Sequence, residues 1–125
     1  MIGYITLGTN DLEKSVAYYD ILMDMLGAGR FMQDENFVAW AKSHDRVGFS
    51  VTKPFDGEAA TAGNGVMIAL QAANPEQVKE VYQKAIELGG SDEGKPGPRS
   101  DNFYAGYFRD LDGNKLNVFC LTENS

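Results

Sequence analysis

The most constraining feature of this sequence is an internal repeat. Shifting the chain by 63 positions lays Tyr4 on Met67, Ile5 on Ile68, Leu7 on Leu70, Tyr19 on Tyr82 and Gly27 on Gly90. Identities are few, but the order of patterns recurs: a short β-type run, an amphipathic helix, then three extended segments. One such unit has too little core to be stable alone, so two must pair. The expected fold is therefore α+β, with two paired βαβββ modules forming curved mixed sheets around a cleft. The modules are placed at about 1–57 and about 61–125 of a single domain, with a linker at about 54–65. The concave surface between paired sheets is the expected place for a ligand.

Local signals define the elements. Tyr4–Leu7 favours a strand, and Gly8–Asp11 breaks it. Asn10 can cap a helix, with Glu13 three residues on in capping-box position. Leu12, Val16, Tyr19, Leu22, Met23 and Leu26 then recur at helical spacing, so the first helix is expected over about Asp11–Leu26, ended by Gly27 and Gly29. Extended segments follow at Arg30–Gln33, Phe37–Lys42 and Val47–Lys53. Met67–Leu70 restarts the pattern. Asn74-Pro75-Glu76-Gln77 is a helix start with an Asn cap, Pro at the first helical position and Gln at the capping-box position. Val78, Val81, Tyr82, Ala85 and Ile86 form its apolar stripe, and Gly89-Gly90 ends it. Gly94-Lys95-Pro96-Gly97-Pro98 reads as a rigid loop. The chain closes on a hairpin: aromatic-rich Phe103–Phe108, the turn Asp112-Gly113-Asn114, and a strand on which Asn117 is the lone polar residue of an apolar face.

Composition narrows the function. The formal net charge is −7 and the sequence pI is about 4.5, which disfavours a nucleic acid or an anionic membrane as partner. No window approaches the roughly 20 apolar residues of a membrane span. Cys120 is the one cysteine, so no intrachain disulfide points to an oxidising compartment. Met1-Ile2-Gly3-Tyr4 lacks a basic signal-peptide start, and a cytoplasmic location is expected. His44, the one histidine, lies in a polar turn and reads as a surface residue rather than a general base. Cys120, on an apolar strand, reads as a small hydrophobe. Asp110 and Asp112 are explained by the hairpin turn, where Asp bonds local backbone. The Gly94–Gly97 segment lacks a phosphate-loop pattern.

Two motifs carry a resemblance. Asp11–Tyr19 (D-L-E-K-S-V-A-Y-Y) opens the first helix, and Phe108–Leu116 (F-R-D-L-D-G-N-K-L) lies near the end. With the two βαβββ modules, they resemble the glyoxalase/bleomycin-resistance/extradiol-dioxygenase superfamily over nearly the whole chain, and small bacterial glyoxalase-like members in particular. The resemblance implies a homodimer and one divalent metal in the cleft. Its ligands would be a His in the first strand of each module and a Glu, Gln or His in each last strand. At those positions this chain has Tyr4, Met67 and Asn117, with Gly48, Phe49 or Ser50 in the last strand of module 1. None is a normal ligand for zinc, nickel or iron. No metal or other cofactor is therefore expected there, the alternative being a metal recruited from a partner chain.

In this fold one face of each sheet lines the cleft. With the metal ligands replaced, the cleft becomes an apolar pocket with a few polar tips. The expected ligand-binding residues are Tyr4, Trp40, Phe49, Met67, Arg99, Tyr104, Tyr107 and Asn117, with Arg99 meeting an anionic group. The function this favours is metal-independent binding of a hydrophobic or aromatic small molecule, with catalytic residues unassigned. A metal-dependent lyase, isomerase or dioxygenase and a ligand-free interaction module are the alternatives.

Overall fold

Both helices begin where the sequence offers a side-chain oxygen to the first free N–H groups. In the computed structural model, which describes residues 1–122, helix α1 spans Leu12–Met25 and helix α2 spans Pro75–Glu87. Asn74 caps α2 as expected, accepting from the Gln77 N–H at 2.9 Å. The cap of α1 is Asp11, which accepts from the Lys14 N–H at 3.1 Å, and not Asn10. Asn10 is engaged elsewhere: it accepts from the Ala60 N–H at 2.7 Å and donates to the Ala60 carbonyl at 3.2 Å. It thereby straps the loop around Ala60 to the turn that leads into α1. Gly8 makes room, because a Cβ there would lie 3.1 Å from the Ala60 Cβ.

The chain divides into two compact units, Met1–Ala62 and a second from Gly63 on. In the first, strands β1 (Tyr4–Gly8), β2 (Gly29–Gln33), β3 (Phe37–Ala41) and β4 (Gly48–Thr52) form a sheet in the order β1-β4-β3-β2. In the second, β5 (Ile68–Gln71), β6 (Ser91–Ser100), β7 (Phe103–Arg109) and β8 (Lys115–Leu121) repeat it as β5-β8-β7-β6. β1 runs parallel to β4 and β5 to β8, while the other pairs are antiparallel. Each unit is thus a βαβββ module with a mixed sheet, and the class is α+β. No helix among the described residues is long and apolar enough to cross a membrane.

The expected rigid loop at Gly94–Pro98 is instead part of β6, a ten-residue strand with three register shifts against β7. Its prolines are tolerated because β6 is the outer strand of its sheet, where a missing N–H breaks no second ladder.

Each core lies between a helix and one face of its sheet. In the first unit the Tyr19 ring sits 4.7 Å from Phe49 and 6.0 Å from Trp40, centroid to centroid. Leu22 and Val51 complete this layer, and full burial of each such side chain contributes roughly 1.5–3 kcal/mol. In the second unit Val78, Val81 and Ala85 pack with the buried Phe108, Leu116 and Val118. Gly106 lets this layer close: a Cβ there would meet the Tyr82 ring at 3.2 Å and Pro96 at 3.0 Å.

Candidate functional site

Side chains alternate across a strand, so one buried row fixes the direction of the other. On β8, Leu116, Val118 and Cys120 belong to the core under α2. Lys115, Asn117 and Phe119 therefore stand on the face turned away from the helix. The register carries this face across the sheet. Asn117 lies opposite Tyr107 on β7 and Ala69 on β5, Phe119 opposite Ala105 and Gln71, and Lys115 opposite Arg109.

Asn117 is 2% exposed, and its Oδ1 is buried with no hydrogen-bond partner among the described residues. Leaving a buried acceptor unsatisfied costs about 1–3 kcal/mol, so folding alone gives no reason for an amide here. Its cross-strand neighbour Tyr107 is flanked by two cations. The Arg99 guanidinium carbon lies 5.4 Å from the ring centroid and the Lys115 Nζ 5.7 Å from it. Arg99 is fixed by donating to the Lys95 carbonyl at 2.6 Å and to the Gly97 carbonyl at 3.0 Å. Gly94 leaves space for this packing: a Cβ there would lie 3.3 Å from both Arg99 Nη2 and Tyr107 Cδ1. Arg109 is tied to Glu93 and donates to the Gly113 carbonyl at 2.9 Å. Neither Arg99 nor Lys115 forms an ion pair among the described residues.

The first unit has a counterpart that is closed on itself. The 63-residue shift takes Thr6 to Ala69, and these stand opposite Ser50 and Asn117 in equivalent parallel pairs. Ser50, not Gly48 or Phe49, is thus the module 1 equivalent of Asn117. Its Oγ donates to the Ile5 carbonyl at 2.7 Å and lies 2.7 Å from Thr6 Oγ1. Both hydroxyls are satisfied within the unit.

The expected site residues separate into groups. Asn117, Tyr107 and Arg99 come together on the second sheet. Tyr104 lies on the α2 side of β7, with Gly106 and Phe108, and so faces away from that group. Trp40 and Phe49 are placed on the α1 side of the first sheet, 1% and 6% exposed, and are taken up by core packing. Trp40 also donates its indole N–H to Asp20 at 2.9 Å. Tyr4 is 55% exposed at the start of β1, and Met67 is 39% exposed just before β5. Lys115 was missed by sequence reasoning, although its position two residues before Asn117 on one strand was a usable signal.

A transition metal does not fit the residues present. The positions implied by the resemblance hold a phenol, a thioether, a hydroxyl and a carboxamide, in Tyr4, Met67, Ser50 and Asn117. The Ser50 hydroxyl is already engaged by its neighbours. Among the described residues no three His, Cys, Asp or Glu side chains gather as a metal-binding group.

The shifted or buried ionisable side chains have structural explanations. Arg30, which bonds Asp20 through two nitrogens, holds the Asp20 carboxyl below its usual range, and the Trp40 N–H adds to this. Burial pushes the Cys120 thiol up, away from the nucleophilic thiolate. Asp110 is buried in the hairpin turn, where it accepts from the Asp112 and Asn114 N–H groups at 2.9 Å each. Burial and then Asp92, bonded at 2.6 Å, push the Tyr82 phenol up to about 12.

The sequence model of the Glyoxalase/Bleomycin resistance protein/Dioxygenase superfamily matches residues 1–118. No curated protein matches the sequence. Among solved structures, a glyoxalase/bleomycin resistance protein from Albidiferax ferrireducens T118 is 36% identical, with a TM-score of 0.88 over 96% of this chain and 98% of that one. A hypothetical protein from S. aureus is 25% identical, with a TM-score of 0.72 over 96% of this chain and 92% of that one. A glyoxalase/bleomycin resistance protein/dioxygenase family enzyme from Burkholderia phytofirmans PsJN shares the fold at 15% identity, with a TM-score of 0.76 over 95% of this chain and 97% of that one.

Proposed function

Because the chain belongs to the glyoxalase/bleomycin resistance protein/dioxygenase superfamily and its residues offer no transition-metal donor set, we propose that it binds a small molecule without a resident metal. The site is the face of the second sheet turned away from α2. The observation that carries this reading is the buried, unpartnered Oδ1 of Asn117. Tyr107, Ala69, Ala105 and Phe119 surround it in register with apolar or aromatic surface. Apolar walls with a sparse polar group to orient the ligand are the usual make-up of a small-molecule site.

A thermal-shift screen tests the proposal. A ligand at about 100 times its Kd adds about 2.7 kcal/mol to the folded state by mass action. Aromatic and amphiphilic compounds are therefore expected to raise Tm by several degrees, and Asn117→Leu to reduce the rise. A broad panel that leaves Tm unmoved removes the reading. Stoichiometric zinc, nickel or iron that survives dialysis overturns its metal-independent part.

A further inference from the structure

Resting on that binding reading, we propose that the ligand of the second sheet is a small organic anion that also carries an O–H or N–H donor. Two observations beyond the site's shape carry this. The first is charge. The chain is acidic, with a formal net charge of −7, yet this face brings Arg99 and Lys115 to one ring with no carboxylate paired to either among the described residues. Arg99 is held in place by backbone carbonyls rather than by an acid. Lys115 is half-buried, with its Nζ 5.7 Å from the centroid of the same Tyr107 ring.

The second observation is the polarity of the orphan atom. Asn117 Oδ1 is an acceptor, so a ligand with acceptors alone leaves it unsatisfied. The ligand must present a proton to Asn117 and negative charge to Lys115. These two residues share a face two positions apart, roughly 7 Å along the strand, and the flexible lysine stem can shorten that reach. A hydroxy acid or an acylated amino acid has both groups at such a spacing. Tyr107, directly across from Asn117, offers a flat surface for a planar part of the ligand.

Matched triads of compounds separate these requirements. Each triad comprises a 2-aryl-2-hydroxyacetate, the arylacetate lacking the hydroxyl, and the methyl ester lacking the charge, built on phenyl and naphthyl rings. Affinities are measured on the full chain by titration, with the Asn117 side-chain amide followed by NMR. The hydroxy acid is expected to bind about tenfold more tightly than either relative, since each relative forgoes one hydrogen bond or one charge–charge attraction. Its binding should move the Asn117 amide resonance. Asn117→Leu should erase the preference over the arylacetate. Lys115→Gln, a substitution on a partly exposed side chain, should weaken both acids, flatten their salt dependence and leave the ester unchanged.

Esters that bind as well as acids overturn the ligand class and leave the binding reading standing. So does binding by neutral amphiphiles alone. A hydroxyl preference that survives Asn117→Leu also overturns it. If no compound of any kind binds, the binding reading falls and this inference with it.

Discussion

At the scale of the residue, Asn117 carries a cost in stability. A buried carboxamide oxygen with no partner destabilises the free protein. Asn117→Leu keeps the γ-branched outline and removes the orphan, so it is expected to stabilise the ligand-free protein by about 1–2 kcal/mol, read as a higher urea midpoint at unchanged m. A lower midpoint would show that the amide is satisfied in solution. The identity of this residue was legible in the sequence, because alternation alone isolates one polar side chain on an apolar face. Its lack of a partner was not, since that depends on what the neighbouring strands supply at the same level. Ser50 shows the difference. It holds the equivalent register, yet Thr6 and the Ile5 carbonyl complete its bonding.

At the scale of the element, composition and position sometimes disagreed. α2 was readable because its cap, its proline and its apolar stripe all agree. β6 was not, because Gly94, Pro96, Gly97 and Pro98 resemble a loop unless the strand is known to lie at the sheet edge. Trp40 and Phe49 illustrate a second limit. On β3 and β4 the buried residues run consecutively over four positions, so no alternation reveals which side faces α1. The α1 cap fell to Asp11 because two adjacent residues were both competent, and Asn10 was drawn to Ala60. The contact between α2 and β6 has its own pH signature. The unfolded-state phenol of Tyr82 titrates near 10 and the folded one at about 12. The folded state thus holds the proton more tightly. The stabilisation is complete below about pH 10 and is lost as pH rises toward 12. An ultraviolet titration should show a tyrosine ionising at about pH 12 that disappears in Tyr82→Phe. Six tyrosines titrating together would contradict the buried bond.

At the scale of the whole molecule, the repeat is the main legible fact. The two strand orders are the same, and so is the placement of the parallel pair. Between the repeats runs the segment secured by Asn10. Phe55, fully exposed on it, is an open target for chymotrypsin once the local chain can unfold into the protease. Asn10→Ala, which removes both bonds to Ala60, is expected to speed cleavage at Phe55 several-fold while leaving the circular dichroism of the folded chain unchanged. Equal cleavage rates would show that the loop is held by other interactions. The equivalence of Ser50 and Asn117 has a further consequence: one chain contains both a test and its control. Two strands at equivalent places in the repeat sit in the same solvent, at the same concentration and temperature, one saturated within its own unit and one not. Any probe that distinguishes them compares an unsaturated copy with a saturated copy in a single sample. Transplanting the pair Ala69 and Asn117 onto positions 6 and 50 would ask whether two residues are enough to leave the first copy unsaturated as well.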